Sequence, residues 1–263
     1  MTSRPEVPQV ISETKKLKAE FIESRLLHVY DFAAEVIGRV ENHLDIGTYN
    51  GFALPRLATF ASHVDSIDRD EAGLWRAEHR ADVIPLIQQE RVQLHHMDAR
   101  NISLGINAYD SATIIEVFGA GFKGGKDDIS KVFKGVYRSL KPGGTLVFTI
   151  KSKTTEDLLR TFGFGFNKGV SLSREKLTEI LSPLFTPPAW YGQLLLRPYQ
   201  GGLFIPGVIH VQNGDPQIRF NRDSDDNQLQ WSADSLIPQQ IQNPDIEKPM
   251  FWIGVCKKTA TVT

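Results

Sequence analysis

The segment HLDIGTYNGF at residues 43–52 carries the strongest chemical signal in the chain. A short apolar strand holds Asp45, turns through Gly47, Thr48, Tyr49 and Gly51, and gives way to a helical pattern near Ala53. Glycines at such a strand-to-helix turn permit positive φ and let a ligand approach the backbone with no Cβ in the way. Taken alone, the pair is equally an ordinary turn between a strand and a helix. Two later aspartates change the reading. Asp68 ends the expected second strand in VDSIDRD, 21 residues beyond Gly47, where a carboxylate can accept both hydroxyls of a ribose. Asp98 ends the expected third strand in HHMDAR, on the same edge. Either aspartate alone is a natural helix cap or turn former. Acidic residues at three successive strand ends are harder to assign to caps.

In this order the motifs resemble those of the class I S-adenosylmethionine-dependent methyltransferases. The first motif of that family, an acidic residue followed by alternating glycines, is matched at Asp45, Gly47 and Gly51, with Tyr49 where the family usually has its middle glycine. The resemblance implies S-adenosyl-L-methionine as cofactor, its methionine portion over the turn at Gly47, Thr48, Tyr49 and Gly51. It also implies Asp68 at the ribose, and Asp98 with the backbone N–H of Ala99 at the adenine edge. YDSATIIEVF at 109–118 is similar to the fourth-strand motif ending at the active-site face; Glu116, just past the middle of its apolar run, faces the pocket, against cofactor or substrate, or takes a capping position. LKPGGTLVF at 140–148 resembles the turn and fifth strand, and MFWIGVCKK at 250–258 the final antiparallel strand. The likeness covers residues 40–150 well and the remainder by architecture. Tyr49 is a departure with two outcomes: its ring walls the pocket or points away, or the turn has widened and cofactor binding is lost.

Methyl transfer from a sulfonium is an in-line displacement that needs alignment and exclusion of water rather than a metal or a covalent nucleophile. A phenol, acid or amine acceptor also needs its proton removed. His210, in FIPGVIHVQNGD, is the expected base, reaching the site from above; a surface or packing role is the alternative. His28 and Tyr30, ahead of the first strand, are placed to close the same pocket. His95 and His96 are adjacent in a strand pattern and so face opposite ways. No HxxxH, HxH or HExxH spacing occurs, so a metal is not indicated, and GxSxG, Walker and CxxC motifs are missing, which removes hydrolase and kinase readings. Lysines 123, 126, 131 and 134 form a solvated face or an anion site, and TFGFGF at 161–166 with TPPAWYG at 186–192 suits a small planar acceptor or the core.

The elements that must position these groups alternate. Apolar segments at 43–46, 63–67, 92–97, 112–118 and 145–150 are separated by helical patterns at 53–61, 74–89 and 129–140. The pattern predicts α/β architecture: a mostly parallel seven-stranded sheet with helices on both faces and an antiparallel last strand. Residues 11–38 form a helical cover stopped by Gly38; helices are also expected at 154–162 and 173–181, and strands at 192–196 and 250–256. Residues 200–248 are an insertion before the last strand, too long for a hairpin loop.

The whole of 1–263 reads as one domain. At 41% hydrophobic residues it has material for a core without disulfide or metal, and Cys256 has no partner for a bridge. A formal net charge of -1 disfavours a long nucleic-acid duplex as partner. No run of apolar residues fits a cleaved leader or a membrane span, so the expected setting is cytoplasmic, with no membrane partner. The function expected is methylation of oxygen or nitrogen on a small molecule, an aromatic one among the candidates. The alternatives are a fold-retaining binding protein that does not methylate, a protein methyltransferase, and a nicotinamide enzyme, the last weakened because GTYNG lacks the GxGxxG spacing.

Overall fold

The structure is a computed structural model that describes residues 23, 25–118, 122, 124–153, 157, 170–199, 202–205, 209–212, 215–217, 238–240 and 248–259. Helix α1 (residues 25–37) ends where Gly38, at φ 71°, donates its N–H to the carbonyl of Ala34. The alternating pattern then appears as β1 (Val40–Ile46), α2 (Leu54–Leu57), β2 (Ala61–Asp68), α3 (Glu71–Glu78), α4 (Ile84–Gln88), β3 (Val92–His96), β4 (Tyr109–Ile114), α5 (Lys126–Ser139) and β5 (Leu140–Ser152). There follow β6 (Ser171–Leu172), α6 (Arg174–Leu181), β7 (Ala189–Tyr199), β8 (Gly202–Ile205), β9 (Ile209–Gln212), β10 (Asp215–Gln217), β11 (Gln239–Gln240) and β12 (Lys248–Lys257).

Seven strands make the main sheet in the order β7-β12-β5-β4-β1-β2-β3, with β8, β9 and β10 extending it beyond β7. β1 to β5 pair in parallel, and β12 is antiparallel to both β5 and β7. The chain builds outward from β1 through β2 to β3, then returns to lay β4 on the other side of β1. That reversal is the switch point where open α/β sheets leave a crevice at their carboxyl ends.

Apolar residues fill both faces. Val29, Ala33, Leu54, Leu57, Val64 and Val147 join α1 and α2 to one face, whereas Ile114, Val132, Phe133, Phe148 and Leu177 join α5 and α6 to the other. Aromatic rings lock the second layer, with Phe133 and Phe148 edge-on at 5.2 Å. Trp190, in the segment expected to suit a planar acceptor, packs in this layer, edge-on to Phe148 at 5.8 Å and to Trp252 at 6.0 Å.

Three expected boundaries are corrected. The helix expected over 74–89 is two, because Pro85 opens α4 at its first turn, where its missing N–H costs nothing. The expected fourth strand stops at Ile114, not Phe118: the chain turns at Glu116 with φ 58°, and Ile115 and Phe118 are buried from the turn instead. The helix expected from Ala53 is the single turn α2, since β2 already begins at Ala61. Ser173 caps α6 as the pattern at 173–181 implies. Apart from Asp157, the helix expected at 154–162 and the segment TFGFGF lie outside the described residues.

Candidate active site

A cavity of about 490 Å³ opens at the carboxyl ends of β1 to β4. Gly47, Tyr49, Asp68, Asp98, Ala99 and Glu116 all line it, among apolar walls that include Ile67, Met97 and Phe122. Asp45, Thr48 and Gly51 do not line it; they build the turn from beneath.

Register explains the floor. Asp45 stands level with Ser66 on β2 and Thr113 on β4, so the three side chains share one row on the α1 face. The buried Asp45 carboxylate accepts from Ser66 Oγ at 2.7 Å and Thr113 Oγ1 at 2.8 Å, and from the Tyr30 hydroxyl of α1. Burial pushes its pKa up to about 6, against the pull of those hydrogen bonds. Ser66 Oγ lies 2.7 Å from Thr48 Oγ1, which ties the turn to the floor. On the far side His43 bridges Ser111 Oγ at 2.8 Å and Thr113 Oγ1 at 2.9 Å. Because Thr113 donates to Asp45, His43 Nε2 must donate to Thr113 and Nδ1 accept from Ser111, the tautomer of a neutral ring. Burial pushes the His43 pKa down to about 3, consistent with that form.

The turn is as tight as its glycines imply. At Gly47, φ is 99° and a Cβ would stand 2.7 Å from Val117 Cγ2; at Gly51, φ is 77° and a Cβ would meet Ala77 of α3 at 2.7 Å. The first glycine thus frees space beside the cavity, and the second brings α3 against the turn. Tyr49, in the expected position of the middle glycine, takes φ 51° and leaves its side chain 56% exposed at the cavity mouth. Tyr49 lines the cavity, which stays open beside it.

On the rim, Asp68 Oδ2 accepts the N–H of Tyr49 at 2.8 Å and Oδ1 that of Asp70 at 2.9 Å. The second strand's carboxylate therefore clamps the first strand's turn. Asp98 lies two residues past β3, and caps the short turn Ala99–Asn101 by accepting the N–H of Arg100. The Arg100 guanidinium forks onto the same carboxylate, Nε to Oδ1 at 2.9 Å, and holds its pKa down to about 2. Capping and cavity lining, weighed as alternatives for this residue, are both present.

Glu116 takes the N–H side of its turn from β5, donating its backbone N–H to Thr149 Oγ1 at 2.8 Å. Its carboxylate meets Arg25 Nη2 of α1 at 3.2 Å. Leu26 and Tyr30 of α1 and Arg69 and Asp70 after β2 also line the cavity. Of these, sequence reasoning named Tyr30 and missed the others. For Arg25, which backs the cavity, a signal existed: a charged residue sits within the apolar stripe of Ile22, Leu26, Val29 and Ala33. His28 is not among the lining residues.

His210 lies on β9 opposite Phe204 and Gln217, and its side chain is outside the described part of the structure. Among the described residues no group of His, Cys, Asp and Glu has the arrangement of a metal site, and no helix is long and apolar enough to cross a membrane. Cys256 is buried and free, its thiol pKa pushed up to about 12 by burial. Lys126 and Lys131 pair with Glu179 and Asp128 on exposed surface, as a solvated face does.

Sheet order, glycine turn and rim carboxylates together define a methyltransferase fold of class I. Residues 44–148 match the family model for a methyltransferase domain. Residues 44–148 thus form a methyltransferase domain, and the fold around it is that of the class I enzymes, whose cofactor is S-adenosyl-L-methionine. A SAM-dependent methyltransferase of Thermotoga maritima has a similar structure, with TM-score 0.55 and 14% identity over 94% of this chain and 96% of that one. The N-methyltransferase NodS of Bradyrhizobium japonicum, in complex with S-adenosyl-L-homocysteine, gives TM-score 0.51 and 16% identity over 92% and 87%. A SAM-dependent methyltransferase of Methanosarcina mazei gives 0.51 and 14% over 83% and 92%. At these identities the likeness concerns the fold. No curated protein matches the sequence.

Proposed function

We propose that the chain transfers a methyl group from S-adenosyl-L-methionine to oxygen or nitrogen of a small, aromatic molecule, with the donor in the cavity at the ends of β1 to β4. The observation that carries the reading is the meeting of Gly47, Asp68, Asp98, Ala99 and Glu116 around one cavity at the strand-order switch point. Its volume is within the range of small-molecule sites. When bound, the cofactor supplies an electrophilic methyl on sulfur. Asp68 spends one lone pair of each oxygen on the turn and keeps others for ribose hydroxyls. Asp98 and the Ala99 N–H edge the adenine between Ile67, Met97 and Phe122. The turn from Gly47 to Gly51 takes the methionine portion, with Asp45 and Thr48 fixing it from below.

The acceptor side rests on topology. β7 runs parallel to β5, because β12 is antiparallel to both. Past Leu196 it leaves β12, and its last residues pair with β8, so the insertion over 200–248 departs from the carboxyl edge where the cavity opens. In this reading the insertion closes over the acceptor within a single domain, and His210 removes the acceptor's proton. The setting is cytoplasmic, with a small-molecule partner rather than nucleic acid or membrane.

The test is calorimetry with S-adenosylhomocysteine and NAD, followed by turnover on a panel of phenols, imidazoles and amines. Binding of the first ligand alone, with turnover on a planar acceptor, supports the reading; binding of NAD alone would overturn it. His210→Ala should then cost most above the histidine pKa, the difference shrinking toward low pH as the base protonates. A constant fold-difference across roughly pH 5–9 removes His210 from that role. One observation favours a second reading, a cofactor-binding protein without turnover: Tyr49 stands in the middle-glycine position. Binding without methylation of any acceptor would support it.

A further inference from the structure

Arg25 is 3% exposed, and nothing in the motifs above accounts for it. A buried guanidinium is costly unless its charge and its donors are met. Glu116 meets the charge. Nη1 lies 3.4 Å from Gln193 Oε1 on β7, Gln193 Nε2 returns a 2.8 Å hydrogen bond to the Arg25 carbonyl, and the guanidinium rests 4.0 Å over the Phe251 ring of β12. Three partners, after β4, on β7 and on β12, therefore fix one side chain whose charged end abuts the cavity.

The carboxylate it holds is equally constrained. Glu116 has a left-handed backbone at φ 58°, a conformation that costs a residue with a Cβ and is kept where the surroundings impose it. Its N–H is committed to Thr149, and one oxygen to Arg25. Yet 26% of the Glu116 side chain is exposed, against 4% of Arg25, and the residue lines the cavity. The pair thus presents a carboxylate edge, backed by a fixed cation, at the β4 end of the cavity. Asp68 and Asp98 stand at the other end, beyond β1. A ligand with its adenosine at β2 and β3 must run across the β1 turn toward β4, which brings an amino-acid tail to Glu116.

We propose that Arg25 is a positioning residue, which makes α1 part of the cofactor site. It aims Glu116 so that the open carboxylate edge takes the α-ammonium of the cofactor's amino-acid tail, and an occupied site in turn clamps α1 to the sheet. This rests on the cofactor placement proposed above.

The experiment compares S-adenosylhomocysteine with 5′-methylthioadenosine, which keeps the adenosyl thioether and lacks the amino acid. Both are titrated calorimetrically into wild type, Arg25→Gln, Arg25→Lys and Glu116→Gln. Expected are losses of about tenfold or more for S-adenosylhomocysteine in Arg25→Gln and Glu116→Gln, with 5′-methylthioadenosine held within about twofold. Arg25→Lys should recover part of the loss, since it keeps the charge without the fork. Amide exchange in residues 25–37 of wild type should slow with S-adenosylhomocysteine and not with 5′-methylthioadenosine. The ratio of two affinities on one preparation cancels any change in folded fraction. Parallel loss of both ligands, or no loss of either, overturns the role of Arg25. Failure of wild type to bind either ligand overturns instead the cofactor placement on which it rests.

Discussion

Asp45, beneath the β1 turn and behind the cavity, and Asp98, on the cavity's rim beside the end of β3, have surroundings that drive their carboxyls in opposite directions. Asp45 is buried, meets only hydroxyl donors, and has its pKa raised to about 6. Asp98 sits at the rim under the Arg100 fork and has its pKa lowered to about 2. The floor spends stability to hold a turn rigid; the rim keeps charge facing a ligand at little cost to the fold. Changes in the floor should therefore register in folding, and changes on the rim in binding.

The largest effect is expected from Asp45→Ala, which leaves the Ser66, Thr113 and Tyr30 hydroxyls without their acceptor in a dry interior. A loss of about 3 kcal/mol follows from leaving buried polar groups unmet, read as a fall of roughly 6–12 °C in Tm. A change below about 2 °C would show that the floor does not support the turn.

The floor also sets the pH response. The Asp45 pKa is raised by burial to about 6 in the native state from an ordinary 3.8, so between those limits the native chain holds a proton the unfolded one lacks, and Asp45 adds stability as pH falls. His43 titrates near 3 natively and from 6.5, so across that window the unfolded chain takes a proton the native one refuses, and stability falls with pH. The His43 window is wider, so the pair should lose stability between about pH 6.5 and 6, hold nearly level while the two contributions cancel, and lose more below about pH 3.8. Urea midpoints from pH 7 to 4 should fall less steeply in His43→Gln and more steeply in Asp45→Asn. Identical slopes in all three proteins would contradict the assignment.

On the rim, Asp68→Asn should weaken S-adenosylhomocysteine binding by roughly 1.5–3 kcal/mol. Its Tm should move by only a few degrees, about what one turn hydrogen bond is worth. A Tm loss with unchanged affinity would move Asp68 from rim to floor. The smallest effect belongs to Tyr49→Gly. Glycine relieves the strain at φ 51°, so stability should hold or rise by about 1 kcal/mol while affinity drops as a pocket wall is lost.

Much of this division was legible in the sequence. The apolar runs of β1 to β5 and the turns between them fixed the sheet, because in a parallel sheet both faces of a strand are buried and the run itself is the signal. The same double burial hid the floor: His43 and Asp45 alternate with Leu44 and Ile46 and all four are buried, so the alternation in HLDI does not tell which row faces the cavity. Tyr49 was recognisable as a departure, but the carboxylate that holds its N–H, Asp68, comes 19 residues later. Arg25 was missed although its charge interrupts an apolar stripe, because the partners that give it meaning, Glu116 and Gln193, come far later in the chain.

The account turns on where the cofactor sits, and a crystal structure with S-adenosylhomocysteine tests that most directly. Density should lie over Gly47, with the ribose at Asp68, the adenine beside Asp98 and Ala99, and the amino-acid tail reaching Glu116. Density confined to the larger cavity of about 820 Å³ that flanks α3 and β3, lined by Glu71, Trp75 and His96, would contradict it.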